Sequence, residues 1–241
     1  MPWFFTEENI QSDNYIITGE NAIHIEKSLR MKKGEEITLC TPDKTQCDCV
    51  IEQIIPGQVY VKIIKKAPCE NEPDALITLY QALPKGDKMD YIVQKCVELG
   101  VSKIVPVISA RCVSRPDEKS LKKKIARWQK IALQAAMQSR RGIIPQILEA
   151  KSFENAVKEA NEDKKIIFYE CGGESVKDLL CENVKNIGIF IGSEGGFEEK
   201  EVESVLEKGG SKATLGKRIL RAETAPLAAL SIIMYQTGNF E

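Results

Sequence analysis

The sequence contains a single histidine, His24, among 241 residues. Imidazole acid–base chemistry is therefore confined to one position near the amino terminus, which reaches the carboxyl-terminal loops only if a partner protomer brings it there. No apolar run is long enough to cross a bilayer, and Met1–Ile10 lacks the basic and apolar regions of a signal peptide. A cytoplasmic protein with no membrane partner is expected. Net charge is also nearly absent, since 34 Lys and Arg residues face 35 Asp and Glu residues for a formal charge of −1. That balance argues against a chain that holds nucleic acid through bulk charge. Cysteine is plentiful at eight residues, yet only Cys47-x-Cys49 is close-set, and a one-residue gap puts both thiols on the same face of a strand. No metal site is expected, and the cysteines read as free thiols of a reducing compartment.

What is present divides near residue 70. Tyr15–Thr18, Glu36–Cys40, Cys47–Ile54 and Gln58–Ile64 read as strands separated by Pro-containing turns, with a short helix over Asn21–Leu29. This predicts a compact β-barrel in a domain over residues 1–68. The stretch from Ala67 to Asp74 is polar, holds Pro68 and Pro73, has no periodicity and reads as a linker.

From residue 74 to 241 strands and helices alternate. Strands are expected at Ala75–Tyr80, Lys103–Ile108, Ile143–Leu148, Ile166–Tyr169, Ile187–Ile191 and Lys212–Leu215. Between them, Asp87 caps a helix with Met89, Ile92, Val93 and Cys96 on one face, and Ser120–Ser139 carries Leu121, Ile125, Trp128, Ala132 and Ala135 along one stripe. Ser152–Ala160 and Ser175–Leu180 are shorter helices. The alternation implies a mainly parallel sheet covered on both faces, an α/β domain.

Two consecutive strand–loop–helix units close the chain. Ile187–Ile191 empties into Gly192, Ser193, Glu194, Gly195 and Gly196 before a helix with Val202, Val205 and Leu206 on one face, which Gly209 and Gly210 end. The next strand leads into the charged loop 216–223, then Thr224 as N-cap and Pro226 in the first turn of a nearly all-apolar helix. Loops at the carboxyl ends of parallel strands are where ligands sit, because backbone N–H groups and helix N-termini converge there. The G-x-E-G-G loop has neither the lysine of a phosphate-cradling loop nor the glycine spacing of a dinucleotide site, and Glu194 repels phosphate. A cofactor with ribose, adenine and a positive centre fits better, and S-adenosylmethionine is one. The alternative is that the glycines only make tight turns in a structural connection.

Charge is uneven. From Arg111 to Lys130 eight basic residues face only Asp117 and Glu118, and Lys62, Lys65 and Lys66 form a second cluster. Such runs are commonly solvated faces, but a local basic surface on a neutral chain is compatible with a polyanion.

The pairing of IGSEGGF (191–197) with LGKRILRAETA (215–225) closely resembles the ribosomal RNA uridine-N3 methyltransferases, of the SPOUT group whose carboxyl-terminal chain is tied in a trefoil knot. The likeness continues in QALPKGDKMDYIVQKCVELGV (81–101), in RWQKIALQAAMQSRRGIIPQI (127–147) and, less specifically, in HIEKSLRMKKGEEI (24–37). It departs where the family usually has proline (Ser193), glutamate (Gln134) and glycine (Arg140). The resemblance implies a small PUA-like RNA-binding barrel followed by a knotted α/β methyltransferase domain, a homodimer, and N3 methylation of uridine 1498 in 16S ribosomal RNA on the assembled small subunit.

N3–H of uracil is a weak acid, so such a reaction needs a proton acceptor and a cationic or N–H donor beside O2 and O4. Glu223 is a candidate for the first role and Arg221 for the second, although Glu223 pairing with Arg218 or Arg221 to shape the loop is as good a reading. The cofactor is expected among Tyr169 and Glu170, the segment Ile191, Gly192, Ser193, Glu194, Gly195 and Gly196, and Leu215, Gly216, Ile219, Leu220, Arg221, Ala222, Thr224 and Ala225. Leu215, Ile219 and Leu220 would form an apolar slot for adenine. RNA phosphates are expected at His24, Arg30, Lys32 and Lys33 on the small domain and at Lys85, Arg111, Arg115, Arg140 and Arg141 on the large one. N3 faces a base-pairing partner, so the target is single-stranded or extruded. Two rivals remain open: a knotted enzyme acting on a ribose 2′-hydroxyl of transfer or ribosomal RNA, and a non-catalytic RNA-binding or assembly protein.

Overall fold

The computed structural model describes residues 1–180 and 184–240. Contacts divide the chain into two units, the first made of Met1–Glu72 with Ala136–Ile144 and the second of the remainder.

The first unit is built on a five-stranded sheet. Strands β1 (Trp3–Phe5), β2 (Asn14–Ile17), β3 (Glu36–Cys40), β4 (Thr45–Ile55) and β5 (Gln58–Pro68) lie in the order β1-β3-β4-β5-β2. β1 runs parallel to β3 and the other pairs are antiparallel. Alternation decides which side is buried: Val59, Val61 and Ile63 of β5 point inward with Ile37, Leu39, Cys47, Cys49 and Ile51, and Phe4, Ile17, Ala22 and Ile25 complete the same core. β1 was not expected, because three residues are too few to show a period. β5 runs two residues into the expected linker, where Gln46 pairs with Ala67 and Thr45 with Pro68; a proline is tolerated at a strand end. The expected helix over Asn21–Leu29 is α1 (Gly19–Ile23) passing into a π-helical turn at His24–Ser28, closed by the Leu29 N–H donating to the His24 carbonyl at 2.9 Å.

The second unit contains a seven-stranded parallel sheet. Its elements are β6 (Leu76–Ala82), α2 (Lys88–Glu98), β7 (Lys103–Ile108), α3 (Glu118–Gln138), β8 (Gln146–Ile147), β9 (Lys151–Ser152), α4 (Phe153–Glu159), β10 (Lys164–Phe168), α5 (Val176–Leu179), β11 (Asn186–Ile191), α6 (Glu199–Glu207), β12 (Ser211–Ala213) and α7 (Thr224–Gln236). The order is β12-β10-β11-β6-β7-β8, with β9 also on β7, and every pairing is parallel. The boundary between the units falls inside α3. Of the strand expected at Ile143–Leu148 only Gln146–Ile147 forms, with Lys103 opposite Gln146, and a second short strand beyond it, β9, sets Val107 opposite Lys151.

Six-residue register between β6 and β11, from Asn186 opposite Leu76 to Ile191 opposite Gln81, makes these the central strands. Both are buried on both faces, which is why they read as continuous apolar runs. Tyr80 stacks on Phe190 with centroids 4.3 Å apart, and Phe153 bridges Phe190 and Phe197 at 5.9 and 5.2 Å. The chain moves outward from β6 to β7, then crosses to β10 and returns to set β11 between β10 and β6. That reversal of direction leaves a crevice at the carboxyl ends of the strands. Among the described residues no helix is long and apolar enough to cross a membrane, and no group of three or more His, Cys, Asp or Glu side chains is placed to hold a metal ion. Seven cysteines carry free thiols, and Cys181 lies outside the described residues.

Candidate functional site

The loop after β11 folds back on itself. The Gly196 N–H donates to the Ser193 carbonyl at 3.0 Å, and the next residue, Phe197, is 1% exposed against Phe153, which pins the end of the loop in the core. Glycine is required twice here. A Cβ on Gly195 would stand 2.9 Å from the Arg111 Cβ, and Gly196 has φ +65° with the Glu170 carboxylate against its Cα. From the strand side, buried Gln81 donates through Nε2 to the Gly192 carbonyl at 3.3 Å. The start of the loop is therefore held by β6, its middle by Arg111 and its end by the aromatic core.

The loop after β12 is more open. Thr214 Oγ1 and the Gly216 N–H meet at 3.2 Å in a tight turn, and Lys217, Arg218 and Arg221 follow as exposed cations. Together the two loops and the end of β10 enclose a cleft of about 500 Å³ within the second unit. Tyr169, Glu170, Ile191, Gly192, Ser193, Glu194, Gly195, Gly196, Leu215, Gly216, Ile219, Leu220, Arg221, Ala222 and Ala225 all line it, so residues from three separate segments of the sequence converge. Thr224 does not line it. It is the exposed first residue of α7 rather than the N-cap, which is Glu223. Ile219 is 85% exposed, so the wall at that point is a side chain standing in solvent and not a buried slot.

Lys217 and Arg218 fall inside the expected segment 215–225, whereas sequence reasoning missed Phe168, Thr214 and, above all, Lys88. Lys88 opens α2, and its Nζ lies 2.7 Å from Glu194 Oε1 and 3.3 Å from Glu223 Oε2. The second contact is an ion pair without hydrogen-bond alignment, since Glu223 Oε2 is a buried atom with no hydrogen-bond partner among the described residues. Among the described residues Glu223 thus pairs with Lys88, not with Arg218 or Arg221, and it is not one of the residues that line the cleft. A cation in the first turn opposes the helix dipole, and that misfit is the signal in the sequence that could have marked Lys88.

Glu194 is committed as well. Besides Lys88 it accepts the Lys85 backbone N–H at 3.2 and 3.3 Å, so a ribose hydroxyl donating to it would compete with these partners. Burial alone would raise the Glu194 carboxyl, but the hydrogen bonds from Lys88 and from backbone N–H groups outweigh it and hold the group below its ordinary range. The same contacts push the Lys88 ammonium up, with the Glu194 hydrogen bond foremost. The Tyr169 phenol is pushed up first by its hydrogen bond with the Cys171 thiol.

The chemistry of the lining fits an uncharged, partly apolar adenosine-like group. Glycine backbone borders the cleft, Ser193 Oγ is buried without a hydrogen-bond partner among the described residues, and Leu215, Leu220 and Ala222 supply apolar wall. Around it stand Glu170 and Glu194, which suit a cationic centre.

The expected RNA contacts separate into different kinds. In the first unit His24, Arg30, Lys32 and Lys33 are exposed, and the His24 ring packs edge-on to Phe4 with centroids 6.0 Å apart. Arg140 is exposed at φ +56°, a left-handed backbone that agrees with glycine standing there in the resembling family. Arg141 is a correction: it is 3% exposed and its fork grips Glu72, so it presents no guanidinium to a ligand. In the second unit Lys85 is exposed, Arg111 donates to the Gly195 carbonyl at 3.1 Å, and Arg115 donates to the carbonyls of Cys112, Ser109 and Ala110. Arg111 and Arg115 therefore brace loops as well as carrying charge.

Comparison with known proteins is consistent over the whole chain. Residues 70–234 match the model of an RNA methyltransferase domain and residues 17–64 that of an RNA methyltransferase PUA domain. The chain is 36% identical to ribosomal RNA small subunit methyltransferase E of Bacillus subtilis, over 96% of this chain and 94% of that one. It is 32% identical to the protein of that name from Buchnera aphidicola, over 100% and 96%. The crystal structure of a ribosomal RNA small subunit methyltransferase E from Neisseria gonorrhoeae bound to S-adenosyl methionine superposes with a TM-score of 0.88 at 33% identity, covering 98% of this chain and 97% of that one.

Proposed function

The chain belongs to the ribosomal RNA small subunit methyltransferase E family, and from that premise we propose that it methylates N3 of a single uracil, uridine 1498 of 16S ribosomal RNA, on the assembled small subunit in the cytoplasm. The observation that carries the reading is the cleft itself, where glycine-bearing and cationic loops from the ends of β11 and β12 border one volume large enough for an adenosine moiety.

S-adenosylmethionine, when bound, supplies the methyl group. The glycine loop, Ser193 and the segment from Leu215 to Ala222 hold the nucleoside, and Glu170 and Glu194 favour its positive centre. Arg221, on the wall, stabilises the negative charge that spreads onto O2 and O4 as N3 loses its proton. The N3 proton leaves to solvent water at the cleft mouth, and Glu223, at the N-cap of α7 and 3.3 Å from Lys88, shapes the Arg221 loop rather than touching the base. Exposed Arg30, Lys32, Lys33, Lys85 and Arg140 carry phosphate contacts.

Homodimer formation is part of the same reading. α7 is apolar nearly all round, and its outer positions Ile232 and Tyr235 are 41% and 70% exposed, which suits a face covered by a second copy. The trefoil crossing of the carboxyl-terminal segment is also proposed, supported by the placement of β11 between β10 and β6.

The test is incubation of the purified protein with labelled S-adenosylmethionine and small subunits lacking base methylation, with modified nucleosides mapped by mass spectrometry. N3-methyluridine at one site, lost in a folded Arg221→Ala variant, is the expected result. Label on a ribose or in transfer RNA would move the chain to another specificity within the RNA methyltransferases.

A further inference from the structure

Among the described residues Lys88 is the one ammonium that touches both Glu194, on the β11–α6 loop at the cleft, and Glu223, at the start of α7. These residues lie far apart in sequence, 106 positions in the case of Lys88 and Glu194. Lys88 lines the cleft, and so does Glu194, whereas Glu223 does not. One ammonium against two carboxylates leaves this corner with a single formal negative charge.

We propose that Lys88 is a positioning residue which ties Glu194 and Glu223 together and offsets one of their two charges, so that the preference of this corner for a sulfonium over its neutral thioether product is held down. The assignment rests on the methyl-donor reading given above and deepens it. Loss of the methyl group turns a cation into a neutral thioether, and a corner carrying one formal negative charge rather than two loses less attraction at that step, while Lys217, Arg218 and Arg221 place positive charge elsewhere on the lining. Without Lys88 the two carboxylates face each other unscreened. The wall then holds the cation more tightly relative to the product, while Glu223 loses the contact that fixes its orientation.

Other charges share the cleft. Lys85 approaches Glu194 through its backbone N–H, and Arg111 holds Gly195. Glu170 follows β10, and Arg218 and Arg221 lie on the β12–α7 loop. Each keeps its place in a Lys88 variant, so the expected change is the loss of one local positive charge.

The experiment compares the full-length wild type with Lys88→Met and Lys88→Arg. Calorimetric affinities for S-adenosylmethionine and S-adenosylhomocysteine are measured at pH 8, and the Glu194 carboxyl is titrated by carbon-13 NMR. Lys88→Met should raise the preference for the sulfonium over the thioether by about threefold or more, as expected for one unit charge in a partly solvated site. It should also move the Glu194 titration to higher pH, and Lys88→Arg should restore most of both. An equal loss of affinity for both nucleosides, with the Glu194 titration unmoved, would make Lys88 a structural brace and overturn the proposal. If the wild type binds neither nucleoside, the methyl-donor reading falls, and the Glu194 titration still decides whether Lys88 governs that carboxylate.

Discussion

Arg141 and Glu72 are joined by two parallel hydrogen bonds, Nε to Oε1 at 2.8 Å and Nη2 to Oε2 at 2.7 Å, and the Gly142 N–H adds a third to the same carboxylate at 2.7 Å. With Arg141 3% and Glu72 12% exposed, the pair is a buried bidentate clasp between the two sequence segments of the first unit. Arg141→Ala strands the carboxylate and should cost about 3–5 kcal/mol, and Arg141→Lys, which keeps the charge and loses the fork, should cost less. Neighbouring Arg140 is exposed, so Arg140→Ala should leave the melting temperature nearly unchanged and flatten the salt dependence of RNA binding by about 0.7 in slope. Thermal melts and RNA titrations at several salt concentrations separate the two arginines. Equal behaviour would contradict the division drawn between them.

Tyr80 and Glu162 form a second buried polar pair, the phenol donating to the carboxylate at 3.0 Å beneath the Tyr80–Phe190 stack. Burial first, and then the charge of Glu162, push the phenol well above the usual tyrosine range, so it remains a donor at every pH the fold tolerates. Tyr80→Phe keeps the ring and removes the donor, leaving a carboxylate that is 6% exposed without its phenol. Destabilisation of about 1–3 kcal/mol is expected. Glu162→Gln keeps an acceptor and should cost less, so urea midpoints should rank wild type, then Glu162→Gln, then Tyr80→Phe.

Acid stability should respond to Lys88. The Glu194 carboxyl is held below its ordinary value of 4.5 in the fold, so its contribution is fully present above that value and is lost as pH falls through the lower folded one. Removing the Lys88 hydrogen bond takes away the leading influence that lowers it. In Lys88→Met the Glu194-linked stability should therefore be smaller at neutral pH and the acid-induced loss shallower than in the wild type, so that the two proteins converge as pH falls below 4.5, followed by the fluorescence of Trp3 and Trp128. An unchanged acid slope would mean that the backbone N–H groups alone hold the carboxylate.

The carboxyl-terminal grammar was legible because its signals are local. Apolar flanks, glycines and a charged loop mark β11, α6 and α7 within a few residues of where they lie, and the convergence of their loops follows from parallel strands. Short or broken elements were not legible. Trp3–Phe5 and the two-residue strands β8 and β9 carry no period, and a π-helical turn at His24–Ser28 has the same apolar pattern as an α-helix. Nor does linear order reveal that Ala136–Ile144 contacts the first unit, since Arg141 looks like any surface cation until Glu72 is placed beside it. Lys88 shows only a cation misplaced in the first turn of α2, and its partners are set by the return of the chain through β11 and α7, not by neighbours in sequence.

Ile219 offers the cleanest separation of binding from folding. Its side chain is 85% exposed, between Arg218 and Leu220 on the cleft wall, so it contributes almost nothing to the core. Isoleucine standing in water gains about 1.5–3 kcal/mol when a ligand covers it fully. If adenine takes up that surface, Ile219→Ala should lower S-adenosylmethionine affinity by about tenfold while folding stability stays within about 0.5 kcal/mol of wild type. Calorimetry and thermal melts on the same preparation give both numbers. Unchanged affinity would remove Ile219 from the nucleoside site and leave the adenine to Leu215 and Leu220, whose side chains are only partly exposed and whose truncation should disturb binding and stability together.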